Sequence, residues 1–239
     1  MRTYSVTDTG ILREMNQDFC FASEQPVGNL PNLFIVADGM GGHRAGDYAS
    51  RFTTHRIVAS VTRNKEKEPI SILKEAITTA NQILMEEARE DEEKYGMGTT
   101  IVAATILADR LCVANIGDSR LYVVGDGIRQ VTVDHSYVEE MIRRGKVDAN
   151  AAKRHPNKNI ITRAIGATED VEADFFEVEL AEGEKILLCT DGLTNMVDDT
   201  VICEIMRSGK SPEEKARQLV DLANQNGGRD NITVVIVEP

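Results

Sequence analysis

Four carboxylates stand beside apolar runs in widely separated parts of this chain. Phe34-Ile35-Val36-Ala37 runs into Asp38-Gly39-Met40-Gly41-Gly42-His43, and Lys185-Ile186-Leu187-Leu188-Cys189-Thr190 runs into Asp191-Gly192. Residues 111–116 lead to Gly117-Asp118-Ser119-Arg120, and Gly227-Gly228-Arg229-Asp230-Asn231 precedes the apolar run 232–237. If folding gathers these acids, their repulsion is costly unless divalent cations sit among them. Asp38 followed by Gly39, whose carbonyl is open to close approach or a sharp turn, supplies two oxygen donors for a hard ion. All-oxygen ligation favours Mg²⁺ or Mn²⁺ over Zn²⁺. Each stretch also has a plainer reading: a strand, a glycine turn and a solvated acid at 38–42, and a hairpin-turn residue at Asp118. Recurrence of the pattern favours the metal reading for the set.

The elements that must position these acids are legible in outline. Residues 3–7, 19–22 and 33–37 read as strands. Residues 45–61 have helical spacing, with Ala45, Ala49, Phe52 and Ala59 near one face. Pro69 opens a long helix with one stripe of Ile70, Leu73, Ile77, Ala80 and Leu84. The charge run 86–94 reads as a solvated helix end. Runs 99–107, 111–116, 120–124 and 130–133, separated by short polar turns, predict an antiparallel meander. A short helix is expected at 137–144, a helical turn at 149–153, a strand at 159–165 and an alternating strand at 172–180 with Phe175 or Phe176 inward. Residues 199–207 read as a short helix. Ser211-Pro212-Glu213-Glu214 has the form of a capping box, opening a helix with Ala216, Leu219, Val220 and Ala223 buried. Runs of strands with paired helices argue against a doubly wound parallel sheet.

Bulk properties narrow the function. The 239 residues allow one large domain or two small ones, and 41% hydrophobic content supports a substantial core. A net charge of −12 argues against nucleic acid or an anionic membrane as partner. No apolar run suits a bilayer span or a signal region, so no membrane insertion is expected. Cys20, Cys112, Cys189 and Cys203 lie far apart without metal-ligand spacing and read as small hydrophobes in a reducing cytoplasm. The four histidines share no metal-binding spacing.

Taken together, the motifs resemble the metal-dependent protein serine/threonine phosphatases of the protein phosphatase 2C family, in their compact bacterial form. Those carrying the resemblance are Arg13 with Asn16-Gln17-Asp18, Asp38-Gly39-Met40-Gly41-Gly42-His43, Met97-Gly98-Thr99-Thr100, Gly117-Asp118-Ser119-Arg120, Asp134-His135-Ser136, Thr162-Arg163-Ala164-Ile165-Gly166, Thr190-Asp191-Gly192 and Asp230-Asn231. They span the whole chain, and their order and spacing together are specific where each alone is weak. The resemblance implies an α+β fold, a four-layer α-β-β-α sandwich of two antiparallel sheets with helix pairs outside. It implies one catalytic domain over 1–239, with a mobile flap at about 136–160.

What the resemblance implies for chemistry is a phosphoric monoester hydrolase acting on phosphoserine and phosphothreonine by direct attack of a metal-bridging hydroxide. Asp38 would bridge two core Mn²⁺ or Mg²⁺ ions, with the Gly39 carbonyl on one and Asp191 and Asp230 on the other. Asp118 would bind a third, weaker ion. Asp18 and Gln17 match positions that hold metal-bound waters, although many relatives carry Glu in place of Gln17. Arg13 would grip the phosphate in a bidentate fork. Met40 occupies the position where many eukaryotic relatives carry a proposed general-acid histidine. The proton donor is therefore open between His43, a metal-bound water and solvent. Within the flap, Arg143, Arg144, Lys146, Lys153, Arg154 and Lys158 face one acid, Asp148, and would attract acidic phosphoproteins. Phosphoproteins and a cognate serine/threonine kinase are the expected partners, and a cytoplasmic monomer is expected. The alternatives are a non-catalytic phosphoprotein-binding regulator on the same fold, or a partner-switching phosphatase acting on an anti-sigma-factor antagonist.

Overall fold

Among the described residues the apolar runs form eleven strands in two antiparallel sheets, with helices on both outer faces. The computed structural model describes residues 1–42, 45–152 and 155–239, without the side chains of 149 and 150. The first sheet, in the order β1-β11-β10-β7-β8, comprises β1 (Arg2–Asp8), β7 (Arg120–Val124), β8 (Ile128–Gln130), β10 (Lys185–Cys189) and β11 (Ile232–Glu238). The second, in the order β2-β3-β5-β6-β9, comprises β2 (Asp18–Ser23), β3 (Leu33–Met40), β5 (Ile101–Leu107), β6 (Arg110–Ile116) and β9 (Asp174–Glu179). A short β4 (Gly98–Thr99) pairs the end of β3.

Near-continuous apolar strands follow from burial on both faces. Phe34, Val36, Val102, Leu121, Leu188 and Val235 fill the seam between the sheets. Leu33, Ile35 and Ala37 face α1 (Ala45–Arg63) and α2 (Pro69–Glu90). On the far side, Leu187, Cys189 and Val234 face α6 (Asp199–Arg207) and α7 (Pro212–Gln225). This is the expected four-layer sandwich. Both halves of the Ser211 capping box form, and the expected buried face of α7 is buried.

Several local expectations are corrected. Residues 99–133 are not one meander. β5 and β6 form a hairpin in the second sheet, β7 and β8 one in the first, and the chain changes sheets at 117–119. Gly117 makes that change possible: its φ is 101°, and a Cβ would lie 2.5 Å from the Thr100 side chain. The strand expected at 130–133 lies at Ile128–Gln130. β3 continues through Asp38 to Met40 because β2 and β4 flank its end, so Asp38 sits inside a strand, opposite Asp18. Residues 159–165 make only isolated bridges, Thr99↔Ile165 and Ser136↔Ile161. On α1, the small residues Ser50, Thr53 and Thr54 are buried with Ala45 and Ala49, whereas Phe52 and Ala59 are only partly covered. Ile57 and Val61 complete the buried face further along the helix, and Phe52 stacks on Tyr48 at 5.1 Å beside it. In α2, Ile72 is buried and Ile70 partly exposed. The 86–94 run is not simply solvated, for Lys94 bonds Glu87 and lies 4.2 Å from the Tyr48 ring centre. Phe175 and Phe176 both pack, on opposite faces of β9.

One buried charge pair closes the first sheet. Lys215, 1% exposed, donates to Glu238, which also accepts from Arg2. Removing one member of a buried pair costs about 3–5 kcal/mol, and loss of Lys215 would leave Glu238 only Arg2, whose side chain is 72% exposed. Lys215→Ala is therefore expected to lower Tm by roughly 6–20 °C, with kcat unchanged. Thermal unfolding beside a phosphatase assay checks this, and an unchanged Tm would show the pair to be dispensable.

Candidate metal centre and active site

The acids singled out in the sequence reach one end of the sandwich, each on a different element. Asp18 opens β2 and pairs in register with Asp38 of β3. Asp118 sits at the change of sheets, Asp191 begins α5 (Asp191–Thr194) just after β10, and Asp230 precedes β11. Asp18 is buried, while the other four keep a partly open face.

These groups perturb one another. Burial first, and then the charges of Asp18, Asp191, Asp118 and Asp230, hold the Asp38 carboxyl well above its usual range. Burial likewise raises Asp18 to about 7, against the pull of hydrogen bonds from Thr233 and Thr190. Asp118 rises to about 8 through burial and the charges of Asp191 and Asp134. Asp191 rises to about 6 through burial and Asp230. Arg120 offsets this only in part: its charge pulls Asp191 and Asp118 down, but it is forked onto Asp134, with Nε 2.9 Å from Oδ1 and Nη2 2.6 Å from Oδ2.

Among the described residues, two carboxylate oxygens of this cluster are buried and unmatched. Asp18 Oδ2 accepts from the Thr190 and Thr233 hydroxyls at 2.8 and 2.7 Å, and Asp191 Oδ2 accepts from Asn195 Nδ2 at 2.8 Å. Their Oδ1 atoms are buried with no hydrogen-bond partner among the described residues. Orphaned carboxylate oxygens among mutually raised acids fit a pair of hard divalent ions. As the side chains stand, no three His, Cys, Asp or Glu residues among those described close on one ion by themselves. Backbone carbonyl and water oxygens would complete each shell, as Mg²⁺ and Mn²⁺ accept.

Gly39 is required for close approach rather than for a sharp turn. A Cβ there would lie 2.0 Å from the Gly46 carbonyl oxygen and 2.6 Å from that of Gln17. Its N–H donates to the Gln17 carbonyl at 3.0 Å. The end of β3, the entry to β2 and the start of α1 thus meet backbone to backbone.

Arg13 lies on the loop between β1 and β2, about half exposed, with Nη2 2.8 Å from Asp230 Oδ2. Asn231 fixes this loop: its Nδ2 donates to the carbonyls of Thr9 and Met15, and its Oδ1 accepts from the Gln17 N–H. On the other side, α3 (Tyr137–Arg143) and α4 (Ala149–Ala152) overhang a cavity of about 430 Å³ lined by Asp118, Asp134, Glu139, Lys158, Asp191 and Asn195. Lys158 donates to Asn195 Oδ1 at 2.8 Å, and Asn195 in turn holds Asp191. The exposed Arg143, Arg144 and Lys146 lie on the same segment. His43, Lys153 and Arg154 lie outside the described residues. His135 is structural: its Nδ1 accepts from the Gly117 N–H, bracing the turn that carries Asp118.

Sequence reasoning missed Thr190, Thr233, Asn195 and Asn231 as supports of the acids. Thr190 and Asn231 adjoin candidate ligands, which was the available signal. Asn195 stands four residues after Asp191, one helical turn away, and that spacing was a signal too; Thr233 gave none, since only folding brings it to Asp18.

Comparison with known proteins agrees with this arrangement. The family model described as Protein phosphatase 2C matches residues 9–232. The Serine/threonine phosphatase stp of Listeria monocytogenes is 40% identical, covering 97% of this chain and 93% of that protein. The crystal structure of Serine/threonine phosphatase Stp1 from Staphylococcus aureus superimposes with a TM-score of 0.93 at 34% identity, covering 99% of this chain and 94% of that one. The catalytic domain of serine threonine protein phosphatase PstP, in complex with two manganese ions, superimposes with a TM-score of 0.88 at 30% identity, covering 99% and 97%. The chain belongs to the protein phosphatase 2C family. It is a protein serine/threonine phosphatase, a phosphoric monoester hydrolase.

Proposed function

We propose that this phosphatase acts on phosphoserine and phosphothreonine in phosphoproteins through two core Mn²⁺ or Mg²⁺ ions held by Asp38, the Gly39 carbonyl, Asp191 and Asp230. The supporting observation is the pair of orphaned, buried oxygens Asp18 Oδ1 and Asp191 Oδ1 among acids whose pKa values are raised together. When bound, the ions supply a water activated near neutral pH and Lewis-acid stabilisation of the phosphoryl oxygens. The protein supplies the rest. Asn195 orients Asp191, and Thr190 and Thr233 orient Asp18, which would order solvent beneath the centre. Arg13 would leave Asp230 for the phosphate and hold it in line for attack. Asp118 is the candidate ligand of a third, weaker ion, and His43 a candidate proton donor. The flap cations would draw acidic phosphoproteins, and a serine/threonine kinase would be the opposing partner. The domain would work as a cytoplasmic monomer. No helix among the described residues is long and apolar enough to cross a membrane.

The test is hydrolysis of p-nitrophenyl phosphate and a phosphothreonine peptide in Mn²⁺, Mg²⁺ or EDTA, with Asp191→Asn beside the wild type. Activity is expected only with metal, and lower by roughly a hundredfold or more in the variant, because several kcal/mol of charge stabilisation goes with the ligand. Folded wild type inactive in every metal would instead point to a non-catalytic phosphoprotein binder.

A further inference from the structure

The apolar side chains around Arg13 are unusually open. Ile11 is 65% exposed, Leu12 68% and Met15 38%. Tyr95, Leu107 and Val201 are exposed one to an element, and Tyr137 and Ile160 meet as a pair through a backbone hydrogen bond at the start of α3. The 11–15 segment is different because its backbone is pinned. The N–H groups of Ile11 and Leu12 both donate to the Gly228 carbonyl, at 2.7 and 3.1 Å, and Asn231 holds the carbonyls of Thr9 and Met15. Gly228 has a φ of 49°, and a Cβ there would lie 2.6 Å from Ile11 Cγ1. The loop is therefore built to display these side chains to solvent.

We infer that Ile11, Leu12 and Met15 dock apolar residues flanking the phosphorylated residue of the protein substrate, an inference that rests on Arg13 holding the phosphate. The argument is continuity. Arg13 lies between Leu12 and Met15 in the chain, so a substrate whose phosphate meets Arg13 carries its neighbouring residues across this surface. Successive residues of an extended peptide advance about 3.3–3.6 Å, so the residues next to the phosphorylated one stay within a few ångströms of it. Glu14, also exposed, disfavours an acidic flank at the same place. A pinned loop loses little conformational freedom on contact, so the apolar area it buries is retained as affinity.

The test compares two phosphothreonine peptides, one with Leu and Val flanks and one with Gly and Ser flanks, against N-acetyl-phosphothreonine methylamide, all in Mn²⁺. The readout is kcat/KM for each peptide divided by kcat/KM for the minimal substrate. Leu12→Ser and the double variant Ile11→Ser/Leu12→Ser are expected to lower this ratio roughly tenfold for the apolar peptide. The Gly/Ser peptide should be nearly unaffected, and Leu107→Ser, on the β5–β6 hairpin, should keep the wild-type ratio. An unchanged ratio, or an equal fall for both peptides, overturns the inference alone. Wild type inactive on all three substrates overturns the phosphatase reading and the inference with it. Sedimentation showing a dimer that Leu12→Ser dissociates would assign the surface to a second copy of the chain and overturn the inference.

Discussion

Asp38→Asn is expected to lower kcat by about a thousandfold or more while raising the thermal stability of the metal-free protein. Both effects have one cause. Asp38 lies inside β3, opposite Asp18, and burial plus the charges of four other acids hold its carboxyl well above the ordinary range. Asn has nearly the same shape and removes the charge. In the metal-free protein that relieves repulsion, so Tm measured in EDTA should rise. With Mn²⁺ the ordering should reverse: wild type gains stability by binding the ions, and the variant, with a weakened site, gains less. A residue proposed to bridge both ions carries more of the transition-state charge than a single-ion ligand, so about 4 kcal/mol of lost stabilisation, or a thousandfold, is a reasonable scale. Retention of more than a tenth of wild-type kcat would remove Asp38 from the centre. A lower Tm in EDTA would show that its charge is compensated within the protein.

The second large effect is on the pH dependence of stability. Asp191, Asp18 and Asp118 are raised to about 6, 7 and 8 from an ordinary 3.8. An acid raised on folding binds more protons in the folded than in the unfolded state across the interval between its two values. Its stabilising contribution is fully present below about pH 4 and is lost as pH climbs through the folded value. His135 works in the opposite sense: burial lowers it from 6.5, so its contribution is lost as pH falls below that point. The two effects separate above pH 6.5. In EDTA, Tm is expected to fall by roughly 5–15 °C between pH 6.5 and 8.5. Saturating Mn²⁺ should abolish the fall, because the ions take over the charge balance that protons provide at lower pH. Calorimetry with and without EDTA across this window decides it. A flat profile without metal would contradict the mutual repulsion of the acids.

The sequence by itself carried the strongest local signals. The capping box at Ser211 and the buried face of α7 depend on residues a few positions apart, and both form as read. The helix Asp199–Arg207 has the bounds its spacing predicts. Asp38, Asp118, Asp191 and Asp230 were legible because each adjoins an apolar run, and an acid beside a strand that must be buried is conspicuous. The four-layer sandwich followed from the family resemblance, with the runs of strands and paired helices in agreement.

The tertiary structure decided what depends on residues far apart. Whether β6 and β7 pair or part company cannot be read from alternation, which is the same in either case; the close fit of Gly117 against Thr100 accompanies the change of sheets. Asp38 lies within a strand because β2 and β4 extend beside it, and no neighbour in sequence reports that. The reason for Gly39 is the carbonyl of Gly46 on a helix that packs back against the strand. Thr233 became a support of Asp18 only when β11 and β2 came to the same end of the sheets. Local propensity records what each segment can form. Which buried oxygens are left without partners is a property of the whole packing, because it depends on every group that folding brings near them.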